Sequence, residues 1–218
     1  MANINIAIDG TSGVGKSTIA DILAANNGMT HLDTGAMYRC VALAIYRAQI
    51  NLEDESAIQS ILDQIKIEFD HGKVILNGED VSKEIRTNDI SNFTSKISAI
   101  AAVRSKLVDL QKDIAANKGY ILDGRDICTT VLPDAEVKIF MSASAKARAQ
   151  RRYDEYISKG VEADYDTIYN DIVARDYQDS HRSVSPLRKA DDAIEVDTST
   201  LTIDEVVHTI QAIIDKAL

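Results

Sequence analysis

The segment Gly10-Thr11-Ser12-Gly13-Val14-Gly15-Lys16-Ser17-Thr18 constrains this chain more than any other, because it fits the pattern G-x-x-x-x-G-K-[ST]. It follows the strand-like run Ile4-Asn5-Ile6-Ala7-Ile8-Asp9 and opens the helical pattern Ile19-Ala20-Asp21-Ile22-Leu23, which is the context the motif needs. The glycines let successive backbone N–H groups turn inward around a phosphate, and the helix that follows adds its positive N-terminal end. Lys16 reaches the β- and γ-phosphates, and the Ser17 hydroxyl can ligate Mg²⁺. The bland alternative is a glycine-rich turn with a surface lysine, and the complete motif in its proper setting weighs against it. The expectation is an ATP site with Mg²⁺, built from Gly10 through Thr18.

Around this loop the chain alternates. Apolar runs that read as buried parallel strands lie at Ile4 to Ile8, around His31-Leu32, at Gly119 to Leu122, at Val137 to Met141 and at Ala193 to Val196. Helical patterns separate them, so the predicted fold is α/β: a P-loop-type parallel sheet covered by helices on both faces. Ligands of such sheets sit beyond the carboxyl ends of the strands. The Gly10 loop, Asp33-Thr34 and Asp123-Gly124-Arg125-Asp126 each follow a strand end and are expected at one rim. Asp123 suits two roles equally at this stage: a Walker-B-like partner of Mg²⁺ through water, or an acid cap for the Gly124 turn.

Two segments break the alternation. Ile65 to Phe69 and Val74 to Leu76, joined by Asp70-His71-Gly72-Lys73, carry apolar residues at alternate positions and predict a half-exposed antiparallel hairpin. With a polar helix from Ser91 to Ser98, they define an expected insert over residues 62–102. The second interruption is a pair of charged helices, Ala145 to Lys159 and Asp164 to Ser180, expected to form a mobile lid within residues 146–187. The core is then residues 1–61, 103–145 and 188–218.

Composition narrows the function. A formal net charge of -10 over 218 residues argues against the chain's overall field holding nucleic acid or an anionic membrane. Any bound anion must be met by a local cluster of arginines. Cys40 and Cys128 form no C-x-x-C pair, and His31, His71, His181 and His208 lack metal-ligand spacing. With no basic-apolar leader and no long apolar run, the expected protein is reduced and cytoplasmic, without structural zinc or disulfide.

The arginines do cluster. Arg148, Arg151 and Arg152 fall on one helix face, as do Arg175, Asp179 and Arg182. Arg39 follows Asp33-Thr34-Gly35, Arg125 stands at the end of the third strand, and Arg104 lies near the start of a helix. Singly, each is more often solvated or salt-bridged. As a set, several fall at the expected phosphate rim. Phosphoryl transfer is mostly positioning and charge stabilisation, and a phosphate acceptor is already nucleophilic. An alcohol acceptor would need a placed carboxylate base instead. The arginine excess therefore favours a phosphate acceptor. The chain has no N-K-x-D guanine-reading motif, which disfavours a nucleotide-dependent switch.

Several longer segments carry a family resemblance: Ile8 to Thr18, Leu32-Asp33-Thr34-Gly35-Ala36-Met37-Tyr38-Arg39, Leu76 to Thr87, Asp123-Gly124-Arg125-Asp126-Ile127, Pro133 to Phe140 and Arg175 to Leu187. Over nearly its full length the chain resembles the bacterial cytidylate kinases, a branch of the nucleoside monophosphate kinases. The resemblance implies a core sheet, an inserted monophosphate-binding domain, a lid and a monomeric enzyme that moves a phosphoryl group from MgATP to CMP or dCMP. It implies that Thr34, Arg39, Arg125 and Arg182 surround the acceptor phosphate. Ser95, Arg104 and Asp126 would read cytosine, Arg175 and Asp179 would hold the ribose, and Arg148, Arg151 and Arg152 would close on the ATP phosphates. Lys16, Arg39, Arg125 and Arg182 are then the catalytic set.

Overall fold

A computed structural model describes residues 4–70 and 72–218. His71, in the expected hairpin turn, lies outside the described residues. The chain divides into two compact units, Met1–Leu32 with Ile114–Leu218, and Asp33–Asp113.

The first unit is built on a five-stranded sheet of β1 (Ile6–Gly10), β2 (Thr30–Asp33), β6 (Tyr120–Gly124), β7 (Val137–Ser142) and β8 (Ile194–Asp197). Its strand order is β2-β6-β1-β7-β8. β1 runs parallel to both neighbours, with Asp9 opposite Gly124 on one side and Phe140 on the other. Alternation along β1 splits the two faces. Ile6 and Ile8 join Ile139 and Met141 in a core closed by α1 (Lys16–Asn27) and α8 (Ile203–Ile214), through Ile19, Leu23, Val206 and Ile210. Asn5, Ala7 and Asp9 face the other way, where Asn5 Nδ2 donates to the Ala115 carbonyl at 2.9 Å. Thr202 and Glu205 start α8 with a reciprocal capping box.

Two charged helices, α6 (Ala145–Ser158) and α7 (Tyr165–His181), belong to the same unit, close to the expected bounds. Their shared core is small: Ala149, Ile168 and Ile172 are buried, ringed by tyrosines including Tyr153, Tyr165 and Tyr169. So thin an apolar face leaves most of both helices to charged side chains.

The second unit contains α2 (Thr34–Arg47), α3 (Glu55–Gln64), α4 (Asn88–Ile97) and most of α5 (Ala101–Ala115). The hairpin forms as β3 (Ile67–Asp70) and β4 (Lys73–Leu76), paired antiparallel. A short third strand, β5 (Glu79–Asp80), extends it. The segment 62–102 lies wholly inside this unit. Arg47 at the end of α2 clips β5 and the 3₁₀ turn Glu84–Arg86 together, donating to Glu79 at 2.7 and 2.9 Å and to Glu84 at 2.5 and 3.1 Å.

Candidate active site

The loop after β1 owes its shape to backbone. A Cβ on Gly10 would lie 2.1 Å from the Met141 carbonyl oxygen, so only glycine lets β1 run this close to β7. Gly15, at φ 93°, occupies the left-handed region and turns the chain into α1. Lys16 begins that helix, and its Nζ donates to the Gly10 and Thr11 carbonyls at 2.9 and 2.8 Å. Burial, reinforced by the charge of Arg125, pushes its ammonium pKa down to about 7.

Ser17 Oγ donates to Asp123 Oδ2 at 2.9 Å, across 106 residues of sequence. Of the two roles open to Asp123, this contact brings the carboxylate to the hydroxyl expected near the metal. Its other oxygen faces His31 Nε2 at 2.8 Å, and His31 Nδ1 faces Asp21 Oδ1 at 2.6 Å. Burial pushes the Asp123 carboxyl up, but the hydrogen bond and charge of His31, with Lys16 and Ser17, hold it below the usual range. Burial alone would lower the His31 pKa, and the two carboxylates instead raise it to about 9. Ser17 and Asp123 supply hard oxygen ligands. Mg²⁺ is held by one or two such groups plus substrate phosphates rather than by an all-protein cage. Among the described residues no group of three His, Cys, Asp or Glu side chains could hold a metal alone. The pair fits Mg²⁺ carried on a nucleotide.

Beyond β6, Gly124-Arg125-Asp126 leads into a π-helical turn, Ile127–Val131. Asp9 holds that turn, accepting from Ile127 N and Cys128 N at 2.8 Å each. Complete burial outweighs those two N–H groups and raises the Asp9 carboxyl to about 6. Arg125 Nε donates to Asp179 Oδ2 at 2.8 Å, and Arg182 Nη2 lies 3.5 Å from Asp126 Oδ1 while its Nε donates to the Ser185 carbonyl at 2.7 Å. Arg175 is half-buried one helical turn before Asp179. The expected acceptor residues of this unit are thus brought together as alternating arginines and carboxylates.

The three arginines of α6 differ in their surroundings. Arg148 is 3% exposed, and its guanidinium donates to the Ala143 and Ser12 carbonyls at 3.0 and 2.9 Å and to both oxygens of Asp176. Arg151 reaches the Thr198 carbonyl. Arg152 is half-buried beside the loop, its Nη2 3.9 Å from where a Cβ on Gly13 would sit.

In the second unit, Asp33 caps α2 through Ala36 N at 2.8 Å and binds Arg39 Nη2 at 2.8 Å. Gly35 leaves room for that pair, since a Cβ there would lie 3.1 Å from both partners. Thr34 is buried in the first turn. Arg104 is buried on α5, 5.7 Å from the centre of the Tyr38 ring, and donates to the Ser98 carbonyl at 3.3 Å. Ser95 is half-buried on α4.

Four polar residues at these positions were given no role from the sequence. Asp9 stands directly before the glycine-rich motif, a position that could have flagged it. Asp176 and Tyr38 sit inside segments already noted. His31 carries no local signal.

The family model described as cytidylate kinase matches residues 6–216. The chain is 50% identical over 217 residues to the cytidylate kinase of Lactobacillus johnsonii, covering 98% of this chain and 94% of that protein. It is 48% identical to the cytidylate kinase of Streptococcus pneumoniae, covering the whole of both. Among solved structures, an uncharacterized protein from Eubacterium ventriosum aligns at TM-score 0.54 and 15% identity, covering 99% of each chain. Shikimate kinase from Bacteroides thetaiotaomicron aligns at TM-score 0.50 and 10% identity, covering 97% of this chain and 98% of that one. These two likenesses support the fold.

Proposed function

The chain belongs to the cytidylate kinase family, and from that premise we propose that it transfers the γ-phosphoryl group of ATP, bound with Mg²⁺, to CMP and dCMP, yielding CDP or dCDP and ADP for pyrimidine nucleotide metabolism. The observation that carries this reading is the set formed by Arg125, Asp126, Asp179 and Arg182, which puts cations for a phosphate next to carboxylates for a base and a sugar.

The loop Gly10 to Thr18 cradles the triphosphate with its N–H groups, and Lys16 leaves the Gly10 and Thr11 carbonyls to reach the β- and γ-oxygens. Ser17, and Asp123 through water, would hold Mg²⁺, which would supply positive charge to offset that of the triphosphate. Arg152 and Arg151 add positive charge on the ATP side, while Arg148 acts through the loop by holding the Ser12 carbonyl. Arg125 and Arg182 orient the acceptor phosphate for in-line attack, and Thr34 and Arg39 are a hydroxyl and a guanidinium of the kind that binds a phosphate. No general base is needed, because the attacking phosphate oxygen is already anionic.

Asp126 accepts a hydrogen bond from the N4 amino group of cytosine, and Ser95 and Arg104 are donors that suit the ring acceptors of such a base. Uracil replaces that amino donor with a carbonyl, leaving a buried carboxylate facing an acceptor, a costly mismatch. Asp179 and Arg175 take the ribose. Closure of α6 and α7 excludes water and suppresses hydrolysis of ATP.

The test is ADP release from MgATP with CMP, dCMP, UMP, AMP and GMP in parallel. Turnover confined to CMP and dCMP supports the reading. Equal turnover with UMP would retain the kinase and remove cytosine recognition from Asp126.

A further inference from the structure

His31 sits on β2 between two carboxylates, with Nε2 2.8 Å from Asp123 Oδ1 and Nδ1 2.6 Å from Asp21 Oδ1. Its side chain is 10% exposed, whereas that of Asp21, on α1, is 71% exposed. Ionised carboxylates only accept hydrogen bonds, so a ring facing one at each nitrogen carries a proton on both. Asp123 uses its remaining oxygen for Ser17. The result is a continuous hydrogen-bonded line, Asp21–His31–Asp123–Ser17, running from the surface of α1 to the Ser17 hydroxyl at the end of the phosphate loop.

The torsion that turns an aspartate carboxylate is broad and roughly two-fold, so Asp123 does not select one orientation unaided. His31 supplies the selection by holding Oδ1. We propose that His31 is a positioning residue for the metal–nucleotide complex, fixing the Asp123 carboxylate so that Oδ2 and the Ser17 hydroxyl stay directed at the metal's coordination shell. The inference rests on the reading of Ser17 and Asp123 as the metal-holding pair. Partners that orient a metal-holding group commonly change metal affinity by about 10- to 100-fold when lost.

Two substitutions separate the two ends of the ring. The side-chain nitrogen of glutamine falls near Nε2 and can still reach Asp123; that of asparagine falls near Nδ1 and can reach only Asp21. The readout is Mn²⁺ binding to the full chain with ADP, followed by loss of the free-Mn²⁺ electron paramagnetic resonance signal and corrected for Mn²⁺ bound by ADP alone. Expected are an increase of about 10-fold in the Mn²⁺ dissociation constant for His31→Asn and His31→Leu, and at most about 3-fold for His31→Gln. ADP binding without metal should stay within about 2-fold of wild type, and excess Mg²⁺ should restore turnover. A purely structural His31 would lower thermal stability in all three variants without separating Gln from Asn. Should the leucine variant not fold, the Gln–Asn contrast decides alone.

Asp123→Asn is the control for the underlying reading. If it leaves Mn²⁺ affinity unchanged, the metal role of Asp123 is overturned, and the inference with it. If Asp123→Asn weakens Mn²⁺ binding while His31→Asn matches wild type, the inference about His31 alone is overturned.

Discussion

Arg125 Nε donates to Asp179 Oδ2 at 2.8 Å, which ties the strand-end turn after β6 to the last turn of α7. Burial pushes the Asp179 carboxyl up, yet Arg125, with Arg175 and Arg182, holds it below its ordinary value of 3.8. A carboxylate with a depressed folded pKa stabilises the fold above the unfolded value, and that contribution disappears as pH falls through the folded value. Asp179→Asn should therefore lose about 2 kcal/mol at pH 7, the scale of a charge-assisted hydrogen bond. The gap from wild type should close below pH 3.8. Denaturant unfolding at several pH values measures it.

Asp126 is buried with Arg182 beside it. Asp126→Asn turns one acceptor oxygen into a donor and should lower kcat/KM for CMP by about 100-fold or more, in line with losses where a buried polar partner is mismatched. The KM for ATP should stay within a factor of about 2. Steady-state kinetics with each substrate varied checks both, and unchanged CMP kinetics would remove Asp126 from the base site.

Arg148 is the most enclosed cation of α6, and its removal strands Asp176 and frees the Ser12 carbonyl. Arg148→Met should cost about 2–3 kcal/mol, less than a fully buried pair because Asp176 keeps some access to water. It should also raise the KM for ATP by about 10-fold with a smaller change in kcat, since the loop is loosened while Lys16 remains. Urea unfolding and ATP-dependent kinetics separate the two effects.

Gly10→Ala forces a methyl group into the Met141 carbonyl. Strand β1 must then part from β7, and the expected loss is about 3 kcal/mol or more, with the phosphate loop displaced. Thermal unfolding together with ADP titration tests this. An alanine variant as stable as wild type would show that the β1–β7 approach can relax.

Legibility in the sequence followed distance along the chain. The phosphate loop, the order of strands and helices and the antiparallel hairpin are all encoded within short windows, through glycine positions, apolar runs and alternation. Arg125 and Asp126 were visible for the same reason, adjacent to each other at the end of an apolar strand. Contacts such as Ser17 with Asp123, Asp9 with Ile127, and Arg148 with Ser12 join residues more than a hundred positions apart. No local pattern carries them.

The sequence by itself determined that a glycine-rich turn must form after β1 and open a helix, because an apolar strand, a run of glycines and a helical pattern follow one another within one short window. It also determined the parallel sheet, because apolar strands separated by helices bury both faces in no other simple way. Tertiary structure alone decided which charges meet. The order β2-β6-β1 sets β6 beside β1, so Asp123 comes within reach of Ser17, and His31 completes the line from β2. A histidine reads the same in any sequence; here the fold places a carboxylate at each of its ring nitrogens.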